Sequence, residues 1–553
     1  MDILTMKSIY YSALFFSFYL CPAQNNPLYN NLPLGKFAVG FKIVTLTDDS
    51  RLDKPEYNYF GEKTAGNRNH RFSIHIWYPA KPNTGKGVVT YGEYCYNMKF
   101  EKTMDTIDPQ KREEELSRSG RGFFQINDVD FKRMTPLAMM AQKDALPITG
   151  KFPLLIGSLR PVSTAVTIEF LVSNGFVVAM VVPVENLEYP KAFLGEVADM
   201  KLAIKHLAHG GMIVENQIGA FGFSGSAFPS LLLSMDDLRI KAYADLEGAF
   251  FQRFFEQFSM SDLYSTRNLK IPFLHLFGQE HARDEKYFSE FEKMKFSNRY
   301  RVLFNQPRLD HWDFATEGRV TTNILHSRGS SEKGIQATFE LANLYLVHFF
   351  NATLKNVDES LHMLENKNSI TGFADTLWSI TKYKAIKASP NTEIFNEIVT
   401  RNGVAAAITL AKETAKTDPD ADFLKWFVLD EVANKLHSRN ELAEELLFRK
   451  FAVEQHPNTG TLWRKLSDLY TVPEHLQEKI YSLAKSLEFE PYSIGFYNLG
   501  CYYAGSDNID KAFEALEKAV QYGFNSKHHY ETDTDLHSLQ SDARWQSLLN
   551  KLK

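Results

Sequence analysis

Between residues 152 and 304 the chain alternates short apolar runs with stretches of helical spacing. The runs 152–156, 176–184, 218–223, 240–246, 271–277 and 300–304 predict strands, and their near-continuous apolar character suits strands covered on both faces. Helices are predicted between them at 164–174, 197–209 and 226–235, with Gly175 and Gly210-Gly211 punctuating the first two. Repeated strand–helix alternation gives the α/β class, a mostly parallel sheet with helices on both faces. Upstream, 36–46 and 70–79 also read as strands. Arg71-Phe72-Ser73-Ile74-His75-Ile76-Trp77-Tyr78 alternates with period two, and Pro79 ends it. Residues 95–150 are polar and mixed in charge, and are expected to be an insertion or lid. An amphipathic helix at 335–354 closes the unit.

A chain of 553 residues is too long for one core, because domains usually hold about 100–200 residues. Past residue 355 the strand signals stop and a helical repeat takes over. Trp463, Leu466, Ser467 and Tyr470 follow the spacing W-x2-L-G-x2-Y with serine for glycine. Phe496, Leu499, Gly500 and Tyr503 repeat it 33 residues later, and Leu429, Val432, Ala433 and Leu436 precede it by 34. Ala512, Leu516 and Ala519 belong to the second helix of the last unit, and 535–553 is expected to be a terminal capping helix. This period marks tetratricopeptide (TPR) repeats, a module suited to binding a protein partner. The expected organisation is therefore a leader at 1–23, an α/β domain at 24–355, a linker at 356–395 and TPR-like repeats at 396–553.

The leader is read from Lys7, the apolar run 9–20 and the small residues of Cys21-Pro22-Ala23. That is the pattern of a secretory signal peptide, and it is short for a membrane span of about 20 residues. It implies export, to a periplasm or to the outside of a bacterial envelope, with no stable transmembrane span. Only Cys95 and Cys501 lie beyond it, so a disulfide framework or cysteine metal site is not expected. Formal net charge is -5, with acids interleaved among the bases, which argues against nucleic acid as a partner. The histidines lack a paired metal-ligand spacing and there is no glycine-rich phosphate loop, so no metal or cofactor is expected.

Acyl transfer needs a nucleophile, a base, a group that orients the base, and donors for the oxyanion. Gly222-Phe223-Ser224-Gly225-Ser226 matches G-x-S-x-G at all but its last position and falls between a predicted strand and helix. A tight turn there lifts Ser224 out as a nucleophile. The base should come after the last strands, and His311 in Asp310-His311-Trp312-Asp313 lies there. Glu247 and Glu280 each follow a predicted strand and are both candidates for the acid. Backbone N–H groups of Gly225 and of Leu159 or Arg160 are candidates for the oxyanion hole.

These segments resemble those of secreted platelet-activating-factor acetylhydrolases and dienelactone-hydrolase-like esterases, which have the α/β-hydrolase fold. Trp77-Tyr78-Pro79-Ala80 looks like their "WYPA" strand, Gly150-Lys151-Phe152-Pro153-Leu154-Leu155 like "GKFPLV", and Ser173-Asn174-Gly175-Phe176-Val177-Val178 like "SHGFVV". The resemblance covers roughly 36–352 and implies hydrolysis of carboxylic esters on lipid-like or small-molecule alcohols. It also implies the acid: Leu246-Glu247 matches the family's "LD" segment, which favours Glu247 over Glu280. Two positions depart from the family. Ser158-Leu159 replaces the His-Gly of its oxyanion loop, and Ser226 replaces the last glycine of the elbow. A serine peptidase on the same fold, and an inactive hydrolase-fold scaffold acting through the TPR repeats, are the alternative readings.

Overall fold

The apolar runs form the middle of an 11-stranded sheet in the computed structural model. The structure describes residues 26–53, 68–100, 127–158, 161–182, 191–248, 259–279, 285–307, 309–326 and 333–552. The chain divides into two compact units, Met1–Lys387 and Ala388–Lys553. The strands of the first unit are β1 (Ala38–Asp53), β2 (Arg68–Ala80), β3 (Val88–Thr90), β4 (Ala138–Lys143), β5 (Phe152–Ser158) and β6 (Val177–Val181). They continue with β7 (Ile213–Phe223), β8 (Ile240–Leu246), β9 (Phe273–Gly278), β10 (Arg299–Phe304) and β11 (Trp378–Tyr383). Their order across the sheet is β11-β10-β9-β8-β7-β5-β6-β2-β1-β4-β3.

The run β6-β5-β7-β8-β9-β10 is parallel throughout. Strand β2 joins it antiparallel to β6, and β1 pairs antiparallel with β2. A parallel block in this order with an antiparallel second strand is the α/β-hydrolase arrangement. Nine helices accompany the strands among the described residues: α1 (Tyr91–Phe100), α2 (Asp128–Met134), α3 (Pro161–Ser173), α4 (Lys191–His209), α5 (Ala227–Asp236), α6 (Glu285–Lys293), α7 (Thr316–Asn323), α8 (Lys333–Leu354) and α9 (Asp358–Glu365).

Successive residues of the parallel strands feed two different cores. Leu154 and Ile156 pack with Val197, Ile204 and Leu231 of α4 and α5, whereas Leu155, Ala244 and Leu276 pack with Val166, Val320 and Leu346 of α3, α7 and α8. Each such fully buried aliphatic side chain is worth roughly 1.5–3 kcal/mol, which explains why these strands carry almost no polar residue. Their few exceptions, Asp245 and His275 above all, sit close to the candidate site.

Three expectations need correction. Residues 356–395 are not a plain linker: they carry α9 and β11, which pairs antiparallel with β10 at the sheet edge. The strand Trp378–Tyr383 alternates buried and exposed positions, and its polar outer residues mask it in a sequence otherwise turning helical. Residues 95–150 are not wholly a lid either. Their last part forms β4, parallel to β1 and antiparallel to β3, while 101–126 lie outside the described residues. The expected terminal helix over 535–553 is broken into a 3₁₀ turn, Thr534–Leu539, and a short helix, Ala543–Leu549. The leader at 1–23 lies outside the described residues.

The second unit is all-helical and built of consecutive pairs, the TPR-like repeat. Trp426–Ser438 pairs with Leu442–Gln455, Gly460–Leu469 with Leu476–Phe489, and Ser493–Gly505 with Ile509–Gln521. The 33- and 34-residue spacing places the repeated positions in the first helix of each pair, with Tyr470 just past the end of its helix. Leu429, Leu466 and Leu499 are buried there. At Gly500 a Cβ would lie 2.6 Å from Leu516 Cδ2, so the small residue sets the distance between the paired helices. Ser467, in the equivalent place, uses its hydroxyl instead and donates 3.0 Å to the Lys479 carbonyl of the facing helix. An additional pair, Thr392–Asn402 and Val404–Thr417, precedes these and lacks the motif.

Candidate active site

Strand β7 ends at Phe223, and Ser224 turns the chain with φ 54°. The left-handed region is unfavourable for a serine and is held only when its surroundings fix it. At Gly222 a Cβ would lie 2.4 Å from Ala227 Cα, so the start of α5 can come this close only to a glycine. Gly225 is different, since a Cβ there would meet nothing within 4 Å. Ser226 replaces the motif's last glycine with a useful hydroxyl. It donates to the Phe223 carbonyl at 2.6 Å and accepts from the Phe223 N–H at 3.1 Å, tying both ends of the turn together.

Glu247 lies just past β8, buried, with φ 48°. Its N–H donates to the Leu276 carbonyl at 2.8 Å, and its Oε1 accepts from the Gly278 N–H at 2.5 Å. The other oxygen, Oε2, lies 3.1 Å from His311 Nδ1. That contact fixes the imidazole with Nδ1 toward the acid and Nε2 away from it. His311 opens a 3₁₀ turn, His311–Phe314, whose shape is set locally: Asp310 accepts from the Trp312 N–H at 2.9 Å, and Asp313 accepts from the Asp310 N–H at 2.8 Å. The imidazole stacks on the Phe223 ring, centroids 4.9 Å apart and planes 19° apart. Phe223 immediately precedes Ser224, so the stack brings the histidine turn to the serine turn.

Three of the sequence-derived residues, Ser224, His311 and Glu247, thus gather at the carboxyl ends of the parallel strands, where open α/β sheets place their ligands. Gly225 stands beside them, whereas Glu280, Leu159 and Arg160 lie outside the described residues. Strand β5 continues to Ser158, two residues beyond its expected end at 156. Gly157 is required there, because a Cβ would sit 2.3 Å from the Phe221 carbonyl oxygen. Gly278 and Phe223 were not singled out from the sequence. The only signals for them were the residue inside G-x-S-x-G and a glycine ending an apolar run.

Just after the histidine turn, α7 is tied to α3. Val166 of α3 donates its N–H to Thr316 Oγ1 at 3.2 Å, and Ser163 donates its hydroxyl to Glu317 Oε1 at 2.6 Å. Burial pushes the Glu317 carboxyl up to about 7, against the lowering effect of the Ser163 hydrogen bond. Glu169, further along α3, is also pushed by burial up to about 7, although Tyr29, Tyr94 and the Met140 N–H all donate to it.

No family profile matches this chain, and no curated protein matches it. Among solved structures it is similar to a ferulic acid esterase from Streptomyces cinnamoneus, at 17% identity and TM-score 0.44, over 64% of this chain and 98% of the esterase. It is also similar to two structures of MamA, each at 19% identity, with TM-scores 0.19 and 0.20, over 29% of this chain and 87% and 85% of theirs. The fold assignment rests on strand order and helix pairing rather than on these likenesses.

Proposed function

We propose that the N-terminal unit is a serine hydrolase that cleaves carboxylic esters. The observation that carries this reading is the joining of two strained turns: Ser224 at φ 54° beside an imidazole that Glu247, at φ 48°, holds through Nδ1. In this reading His311 Nε2 takes the Ser224 proton as the hydroxyl oxygen attacks the ester carbonyl. The tetrahedral oxyanion is held by the Gly225 N–H and a second N–H from Leu159 or Arg160. Collapse expels the alcohol, which receives the proton from His311, and leaves an acyl-Ser224. Water, deprotonated by the same imidazole, then releases the acid. Glu247 orients the ring and stabilises its charged form without itself taking the proton. The substrate is a small-molecule or lipid-like acyl ester, and the TPR-like unit binds a protein partner. The leader pattern at 1–23 supports export to the periplasm or beyond. No helix among the described residues is long and apolar enough to cross a membrane.

Hydrolysis of p-nitrophenyl esters of increasing acyl length tests the activity. The unmodified protein is expected to turn over at least one, and Ser224→Ala to lose about 10⁴-fold or more in rate. Turnover that survives the substitution, or a folded unmodified protein inert on every ester, would refute the assignment.

A further inference from the structure

A second carboxylate–imidazole pair lies one step below the first, in the body of the sheet. Asp245 and His275 are register partners on β8 and β9, and both side chains are fully buried. Asp245 Oδ1 is 2.5 Å from His275 Nδ1. A carboxylate inside an otherwise apolar strand is costly unless its oxygens are well satisfied. The second oxygen is served by Tyr243, whose hydroxyl lies 3.0 Å from Asp245 Oδ2 and 3.1 Å from the carbonyl oxygen of Ala227. The hydroxyl has one proton for these two acceptors, so it stands between the carboxylate and the first residue of the nucleophile helix and donates to one of them at a time.

The packing makes the same connection. A Cβ added at Gly248 would lie 2.5 Å from Ala227 Cβ and 2.8 Å from both Cβ and Cγ of Asp245. The acid turn, the nucleophile helix and the Asp245 carboxylate therefore meet at one point. On the other side, the Asp245–His275 pair is followed in register by Leu246 opposite Leu276. That register decides where Gly278 presents its N–H, and this is the N–H that holds Glu247 Oε1.

We propose that Asp245 is a positioning residue, which through His275 and Tyr243 holds the serine turn and the acid turn in their joint geometry. The inference rests on the reading of Ser224, His311 and Glu247 as a triad. Two left-handed residues of unfavourable type persist because a common buried support over-determines them. Loss of the Asp245 carboxyl lets the Glu247 carboxylate drift from His311, and an imidazole without its carboxylate binds a proton less tightly.

The test is the titration of His311 by NMR in full-length protein with isotope-labelled histidine, assigned by a His311→Asn variant. In Asp245→Asn the titration of His311 is expected to move to lower pH than in the unmodified protein. On a p-nitrophenyl ester, kcat is expected to fall about 10²-fold, with KM within about twofold and a cooperative melt retained. A loss that was merely structural would melt the protein or raise KM without moving the imidazole. Should Asp245→Asn fail to fold, Tyr243→Phe carries the test, since it keeps the ring and removes only the hydroxyl, with the same directions expected at smaller size. An unmoved His311 pKa together with kcat within about twofold, in whichever of the two variants folds, overturns the proposal. If the unmodified protein hydrolyses no ester, the esterase reading falls, and the imidazole titration still decides whether Asp245 positions Glu247.

Discussion

In the C-terminal unit the left-handed residues are Asn440, Asp507, Gly403 and Gly523, each at a turn beside a helix. Asparagine, aspartate and glycine take that conformation at little cost. In the N-terminal unit Asn83 and Asp144 do the same, but Ser224 and Glu247 do not fit the pattern. They are residue types that pay for φ near 50°, and they stand at the ends of adjacent parallel strands. Both units use unusual backbone angles to reverse the chain, and the N-terminal unit also has them at a serine and a glutamate whose side chains must be aimed. Individual buried acids differ as well. Arg449 of the C-terminal unit sits between Glu445 and Asp430, at 2.7 and 3.0 Å, while in the N-terminal unit Glu169 accepts from Tyr29 and Tyr94 and Glu317 from Ser163, all neutral donors.

The largest effect that would sharpen this contrast is expected from Glu247→Gln. It keeps the strained backbone and the size of the side chain but removes the charge facing His311. The ester hydrolysis rate is expected to fall roughly 10³–10⁴-fold with the melting curve nearly unchanged. A rate within tenfold of the unmodified protein would mean that the strain at 247 does not serve the imidazole.

The next effect belongs to the other unit. Leu516 is fully buried against Gly500, and Leu516→Ala is expected to cost about 2–5 kcal/mol of that unit's stability in denaturant melts. Ester hydrolysis below the transition is expected to be unaffected. Loss of hydrolysis in a folded Leu516→Ala protein would break the separation of roles.

Two buried glutamates of the N-terminal unit and one aspartate of the C-terminal unit should contribute to the pH dependence of stability with opposite sign. The folded N-terminal unit keeps protons on Glu169 and Glu317 between pH 4.5 and about 7, where the unfolded chain releases them. Their contribution is fully present below pH 4.5 and is lost as pH rises to about 7, by about 3 kcal/mol each. For Asp430 in the C-terminal unit, burial alone would raise the pKa, but hydrogen bonds from Lys465 and Arg449 outweigh it and hold the carboxyl below its ordinary range. That contribution is present at neutral pH and is lost on acidification. Calorimetry across pH 4–8 checks the first sign, and Glu317→Gln should flatten the slope.

The smallest effect is expected at Asn440. Asn440→Gly should change stability by less than about 0.5 kcal/mol, because both residues accept its angle.

The parts legible in the sequence follow the same division. Each central parallel strand was foreseeable, because burial on both faces leaves a run of mostly apolar residues. The repeats were foreseeable from a period that recurs within one chain. The edge strands β3 and β11 were not, since short or half-wet strands keep polar residues and resemble a loop or helix, and neither was β4, the short strand beside β3. At the candidate site, Ser224 stood out through its glycine neighbours, and His311 through its place after the last strand. Glu247 required the resemblance to choose it over Glu280, because its pairing with Gly278 and His311 depends on three segments distant in sequence. Nothing in the sequence joins Asp245 to His275, for the same reason: the register that pairs them exists only in the folded sheet.

The central claim is that the strained serine turn carries the nucleophile. Its most direct test is to treat the folded full-length protein with a fluorophosphonate and map the adduct by peptide mass. The account predicts one adduct, on Ser224, and none in the Ser224→Ala protein. An adduct on another serine, or a folded protein that takes none, would contradict it.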